Sequence, residues 1–258
     1  MPAMNYEKIA HLYDSYVQTN LDVPFFLNET KDCKNVLELM SGTGRLSIPL
    51  LEAGVSLTCV DNSPQMLKIL RQKIQQKQLS AKVYEMDVCQ LSLPENFDLI
   101  ILPFNSFSEI INPEQQSQAL TQIWNCLSET GRFICTLHNP PIRLKSINGQ
   151  LTLRGKYPLS DGEETLFLWS IEEHNSQNNI VTGTQFYEIY DRHQIMREKS
   201  FLDIQFFLHE KPAFQQLLKA HGFSVLNLYG DYSYSGFQET KSAFMIWVLG
   251  KSETSRTG

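Results

Sequence analysis

The chain has 258 residues, 42% of them hydrophobic, enough to bury the core of one α/β domain carrying a sizeable insertion. Its formal net charge is −6, and its lysines and arginines are scattered rather than gathered in a stripe, so a phosphate backbone would meet a repelling field and nucleic acid is excluded as an expected partner. No apolar run approaches the length of a membrane span, and the first residues lack a charged region followed by an apolar stretch, so no membrane partner and a cytoplasmic location are expected.

In chain order, residues 1–30 read as a helical lid. Ile9, Leu12, Tyr13, Tyr16 and Val17 share one helical face over residues 5–17, and a second short helix begins at Val23-Pro24-Phe25-Phe26. Strand and helix patterns then alternate: strand 35–39, helix 45–53, strand 55–60, helix 63–78, strands 81–86 and 97–103, helix 113–128 and strand 132–137. Strands separated by helices predict right-handed crossovers and a parallel sheet covered on both faces. Ser63 is the expected N-cap before Pro64, and Gly54 and Gly131 fall where helices should stop. From about residue 140 the pattern becomes β-segments at 151–154, 165–171, 180–190 and 194–207, split by turns at Asp161-Gly162 and 176–179, which predicts an antiparallel cap over 140–209. A helix at about 211–221 and strands at 223–229 and 242–250 return to the core, which thus comprises 31–139 and 210–251. The polar tail 252–258 is expected to be disordered. The fold class is a Rossmann-like, doubly wound α/β sheet, mostly parallel with a C-terminal antiparallel strand, plus the inserted cap.

The segment Glu38-Leu39-Met40-Ser41-Gly42-Thr43-Gly44 lies between a strand and a helix. Glycines at 42 and 44 let the backbone approach a ligand closely while the helix start offers free N–H groups. The next strand ends in Asp61, whose carboxylate can accept two hydrogen bonds from a ribose diol, and the third ends near Asp87, able to accept from an exocyclic amine. A nicotinamide dinucleotide would use the related G-x-G-x-x-G turn, but Ser47 stands at the third glycine. The five cysteines (Cys33, Cys59, Cys89, Cys126, Cys135) show no metal-ligand spacing and read as small buried thiols, so no metal is expected.

On these residues the chain resembles the class I S-adenosylmethionine-dependent methyltransferases, specifically a small-molecule branch that includes sugar N-methyltransferases. The family turn, Glu/Asp-Leu-Gly-Cys-Gly-Thr-Gly, is matched at Glu38, Leu39, Gly42, Thr43 and Gly44. Met40 replaces the usual glycine or alanine and is expected to point away from the methionyl moiety. The resemblance implies S-adenosylmethionine as cofactor and S-adenosylhomocysteine as product. It also implies that Asp61 holds the ribose flanked by Asn62 and Met66, that Asp87 and Val88 meet adenine, and that Phe104 lies beside the methionyl portion. Tyr13-Asp14 matches the family's Tyr-Asp pair, so Tyr13 would reach over the cofactor.

Methyl transfer needs alignment and, for an amine or hydroxyl acceptor, a nearby proton acceptor. The loop after the fourth strand, Pro103-Phe104-Asn105-Ser106-Phe107-Ser108-Glu109, carries Glu109 where the sugar N-methyltransferases tend to have histidine, making Glu109 the candidate base or ammonium anchor. His138-Asn139-Pro140-Pro141 resembles the Asn-Pro-Pro-aromatic tetrad of adenine and glutamine N-methyltransferases. It follows the fifth strand rather than the fourth and lacks the aromatic, so it reads as a proline-stiffened exit, with His138 still a candidate for the acceptor pocket. The expected function is methyl transfer to nitrogen or oxygen of a small molecule. The alternatives are a nicotinamide-dependent oxidoreductase and a non-catalytic S-adenosylmethionine-binding module.

Overall fold

The computed structural model describes residues 6–159 and 162–252. Residues 253–258 of the tail expected at 252–258, residues 1–5 of the lid and Asp161 of the predicted turn lie outside the described residues.

Apolar strands dominate the core. β1 (Val36–Leu39), β2 (Leu57–Asp61), β3 (Lys82–Glu85), β4 (Phe97–Leu102), β5 (Leu127–His138), β10 (Phe223–Tyr229) and β11 (Phe244–Lys251) form a seven-stranded sheet in the order β10-β11-β5-β4-β1-β2-β3. β1 to β5 are parallel, and β11 runs antiparallel between β5 and β10. Successive side chains of a strand point to opposite faces, and both faces of the inner strands are covered, so β1, β4 and β11 are buried almost throughout while the edge strands β3 and β10 keep exposed residues. Leu37, Leu39, Ile100 and Leu102 pack on one face against α5 (Pro113–Cys126) and α7 (Lys211–Ala220). Their alternates Val36, Leu99 and Ile101 pack on the other against α2 (Val23–Glu29), α3 (Ser47–Glu52) and α4 (Pro64–Gln76).

Local chemistry sets the boundaries. Ser63 caps α4 by accepting from Met66 N, and Asn112 caps α5 by accepting from Glu114 N at 2.8 Å. The expected stop at Gly131 is corrected: α5 ends at Cys126, and Gly131 lies inside β5, where an added Cβ would stand 2.8 Å from the Phe97 carbonyl oxygen. Its glycine serves close strand approach rather than a helix end.

The cap is a meander of β6 (Thr152–Leu159), β7 (Glu164–Asn175), β8 (Ile180–Asp191) and β9 (Met196–Phe207), joined to the core through the short α6 (Pro140–Arg143). In the described part of the lid, the stretch expected as one helix is a 3₁₀ turn, Tyr6–Lys8, followed by α1 (Ala10–Tyr16), and α2 packs against the sheet instead of covering the crevice. Lid and cap share a third core in which Ile9 and Leu12 pack with Leu166, Leu168, Tyr187, Ile189, Leu202 and Ile204. No helix among the described residues is long and apolar enough to cross a membrane.

Candidate active site

The strand order reverses where β1 neighbours both β2 and β4, and at such a switch point the loops leaving the carboxyl ends diverge and open a crevice. A cavity of about 480 Å³ lies there. Met40 and Gly42 line it after β1, Asp61, Asn62 and Met66 after β2, Asp87, Val88 and Cys89 after β3, and Phe104, Ser106 and Glu109 after β4. Tyr6, Tyr13 and Tyr16 cover it from the lid, and Gln185, Ile204 and Phe206 from the cap.

Asp61 is held by backbone donors: Gly42 N to Oδ2 and Ser63 N to Oδ1, each 2.8 Å. Each carboxylate oxygen has two lone pairs, so both keep acceptor capacity toward the cavity. Burial pushes the Asp61 carboxyl upward against these donors. Asp87 Oδ1 accepts from Cys89 N at 2.8 Å, capping a 3₁₀ turn at Val88–Gln90 and fixing the carboxylate on the cavity wall.

The two turn glycines do different work. Gly42 has φ +56°, and a Cβ there meets no atom within 4 Å, whereas Gly44 has φ +86° and a Cβ would stand 2.4 Å from Leu70 Cδ1. Gly42 therefore keeps space open, and Gly44 lets the turn pack on α4; Gly44 does not line the cavity. Nor does Glu38. It is buried on the α3 side, where its Oε2 accepts from Ser47 Oγ at 2.6 Å, and burial lifts its carboxyl to about 8. Ser47, at the position of the dinucleotide fingerprint's third glycine, thus clasps helix to strand through a polar bond.

Three non-glycine residues around the cavity adopt left-handed backbone: Met40 (φ 54°), Phe104 (φ 59°) and Asn105 (φ 61°). Such residues cost roughly 1–2 kcal/mol each and persist where the surroundings over-determine them. Met40 packs against the main core and also lines the cavity, which corrects the expectation that it turns away from the ligand side. Phe104 is held under the Arg45 guanidinium, 4.7 Å from the ring centroid, and Arg45 in turn forms a bidentate pair with buried Asp22, both contacts at 2.6 Å. Ser41 Oγ and Asn105 Oδ1, in the same loops, are buried with no hydrogen-bond partner.

The sequence pattern did not flag the role of Asp14. Thr43 Oγ1 donates to Asp14 Oδ1 at 2.7 Å, Lys73 Nζ pairs with Asp14 Oδ2 at 2.7 Å, and Lys73 also donates to the Thr43 carbonyl at 2.9 Å. The lid is thereby tied to the glycine turn, which places the half-buried Tyr13 on the cavity.

Glu109 keeps one face on the cavity and is otherwise enclosed by protein. Its Oε1 accepts from Tyr6 Oη at 3.2 Å, and burial raises its carboxyl to about 8, the Tyr6 bond opposing the rise. His138 does not line the cavity. Its ring stacks on Phe244, its cross-strand partner, and meets Phe206, while burial and the adjacent Arg143 charge hold it down at about 4. Asn139 is sealed behind it, donating from Nδ2 to the carbonyls of Glu239 and Ser242 at 2.7 Å each, so the Asn-Pro-Pro run is a structural exit from β5.

Comparison with known proteins agrees with this geometry. Residues 36–131 match the family model described as "Methyltransferase domain". A methyltransferase structure from Clostridium acetobutylicum, described as S-adenosylmethionine-dependent, superposes with a TM-score of 0.76 at 19% identity, covering 96% of this chain and 99% of that one. The sugar N-methyltransferase KedS8 from Streptoalloteichus gives 0.74 at 15%, covering 98% and 95%. A methyltransferase domain at residues 36–131 and the class I methyltransferase fold over the whole chain together support an enzyme of the methyltransferase type. In sequence, a Geobacillus protein provisionally described as a methyltransferase is 22% identical over 254 residues, 92% of this chain and 96% of that protein.

Proposed function

We propose that the enzyme transfers a methyl group from S-adenosylmethionine to a nitrogen or oxygen of a small molecule enclosed under the cap, with S-adenosylhomocysteine as the second product. The observation that carries this reading is the convergence of four strand ends, lid and cap on one cavity, with the pre-anchored Asp61 and the buried Glu109 both facing it. When bound, S-adenosylmethionine supplies an electrophilic methyl group on a sulfonium. Asp61 would accept from both ribose hydroxyls, with Asn62 and Met66 beside it. Asp87 and Val88 would meet adenine, Gly42 would leave room for the sulfonium arm, and Phe104, Met40 and Tyr13 would enclose it. Glu109 would take the proton lost by the acceptor or anchor its ammonium, and a carboxyl near pH 8 is well matched to that exchange. Glu38 and Gly44 would act by fixing the turn, and His138 by packing behind Phe206 rather than by touching the acceptor.

Ser47 argues against hydride transfer, because it bonds Glu38 where a dinucleotide fold needs a bare glycine. The proposal is tested by calorimetry with S-adenosylmethionine and S-adenosylhomocysteine, alongside NADH fluorescence. Both sulfur compounds are expected to bind, NADH is not, and Asp61→Ala should weaken cofactor binding more than tenfold by removing two charge-assisted bonds. Unchanged affinity in Asp61→Ala would refute the assignment.

A further inference from the structure

On the cap side of the cavity, Arg143 at the end of α6 and Glu172 on β7 both contribute to the wall. Among the described residues lining the cavity, Arg143 is the one with a permanent positive charge. Its Nη2 donates to Glu172 Oε2, its Nη1 donates to Ser146 Oγ at 2.7 Å, and its guanidinium lies over the Phe206 ring, 5.1 Å from the centroid. A guanidinium has five N–H donors in a planar fork, so these bonds leave donors unspent and fix the plane from which they project.

Glu172 does not neutralise this charge alone. Its other oxygen is shared, with Arg154 Nη2 at 3.2 Å and Ser170 Oγ at 3.5 Å, and Arg154 Nε also donates to Ser170 at 2.6 Å. Two guanidiniums therefore divide one buried carboxylate, and the cluster carries a surplus positive charge. Glu172 is nearly sealed, with 6% of its side chain exposed, while Arg143 keeps 17%. Arg154, 31% exposed, is not among the cavity-lining residues and draws on the same Glu172 carboxylate from behind, while Arg143 faces a wall whose carboxyl groups are Asp61, Asp87, Glu109 and Glu172. On the same side, Gln185 Oε1 accepts from Tyr187 Oη at 2.7 Å, which commits its acceptor atom and leaves its amide donors available to an oxyanion.

Building on the methyl-transfer reading, we propose that the acceptor carries an oxyanion, a carboxylate or a phosphate monoester, which docks on Arg143 and holds the nucleophilic atom toward Glu109. Arg143 is then a specificity-determining residue. Glu172 sets its orientation and competes with the acceptor for its charge.

The test uses the full chain loaded with S-adenosylhomocysteine and titrated calorimetrically with matched probes: glycine against glycinamide, benzoate against benzamide, and phosphoethanolamine against ethanolamine. In at least one pair the member that carries the carboxylate or phosphate should bind at least tenfold more tightly than the partner that lacks it, and the pair that responds separates carboxylate from phosphate. Arg143→Gln should abolish that preference. Glu172→Gln, which preserves shape and frees the guanidinium, should strengthen anion binding several-fold, so the two variants move in opposite directions and a folding defect cannot mimic both. Equal binding of the two members in every pair, no binding of any probe that carries the carboxylate or phosphate, or a preference that survives in Arg143→Gln would overturn the proposal. Failure of S-adenosylhomocysteine itself to bind would instead strike the methyl-transfer reading beneath it.

Discussion

Asp61 reaches its working geometry without a ligand, because two backbone N–H groups fix both of its oxygens and little ordering remains to be lost on binding. The glycines of the preceding turn divide their labour in a way that substitution can separate. Gly44→Ala combines a left-handed backbone with a 2.4 Å approach to Leu70, so it should lower stability by about 2–4 kcal/mol, read as a drop in Tm. Gly42→Ala meets no steric block, so its stability loss should be about 1 kcal/mol while its affinity for S-adenosylmethionine falls, because the methyl takes up open space at the cavity wall. Glu109 has a folded-state carboxyl raised to about 8 from an ordinary value near 4.5, so the folded state binds more protons than the unfolded one across that interval. Stability contributed at this site is therefore lost as pH rises from about 4.5 to 8. Glu109→Gln should flatten that decline and raise Tm at pH 8 by a few degrees, on the order of 1–2 kcal/mol for a half-open carboxyl. If Glu109 is the base, wild-type turnover should climb with pH to a plateau above about 8, and the variant should lose that climb along with most of its turnover.

At the scale of elements, the link between α1 and the glycine turn is the feature most exposed to experiment. Asp14 is 42% exposed and Lys73 27%, so their pair contributes at most about 1 kcal/mol to folding. Asp14→Asn should leave Tm nearly unchanged yet raise the KM for S-adenosylmethionine several-fold, because the carboxylate holds the lid rather than the fold. Initial-rate kinetics at saturating acceptor would show an unchanged KM if the lid were held by its apolar face alone. The alternation of apolar strand and amphipathic helix was legible in the sequence because periodicity is a local property, and the Ser63 cap was legible because capping is decided within three residues. The cap strands were visible as segments, but the inward face of β8 was not. Packing settles it, with Tyr187 and Ile189 buried and Gln185 on the cavity. Asp14 was noticed only as part of the Tyr-Asp pair, and its bonds to Thr43 and Lys73, like the pairs of Arg45 with Asp22 and Arg143 with Glu172, escaped notice because each joins elements far apart in the chain, and a lone charge in a sequence does not announce its partner. Glu38 and Gly44 were recognised as members of the turn, yet sequence proximity to a ligand-binding turn does not say which side chain faces the ligand and which faces the helix. His138 illustrates the same limit at a strand end, since its pairing with Phe244 turns the ring onto an aromatic stack.

Across the whole molecule, the acidic net charge and the roofed cavity suit a small acceptor better than a polymer. Leu12 is 4% exposed and belongs to the core shared by lid and cap. Leu12→Ala should cost about 2–4 kcal/mol if that core is continuous, and differential scanning calorimetry should then show one transition at lower temperature. A separate early transition would mean that the cap melts on its own. Ile9 and Leu12 anchor α1 in the cap while Asp14, further along the same short helix, grips the turn that faces the nucleoside. One strut thus touches both substrates' compartments, and occupying either should alter affinity for the other by an equal factor. Calorimetry should then find the acceptor's gain in affinity on S-adenosylhomocysteine-loaded enzyme equal to the gain for S-adenosylhomocysteine on acceptor-loaded enzyme, and a factor of one in both directions would mean that the strut transmits nothing.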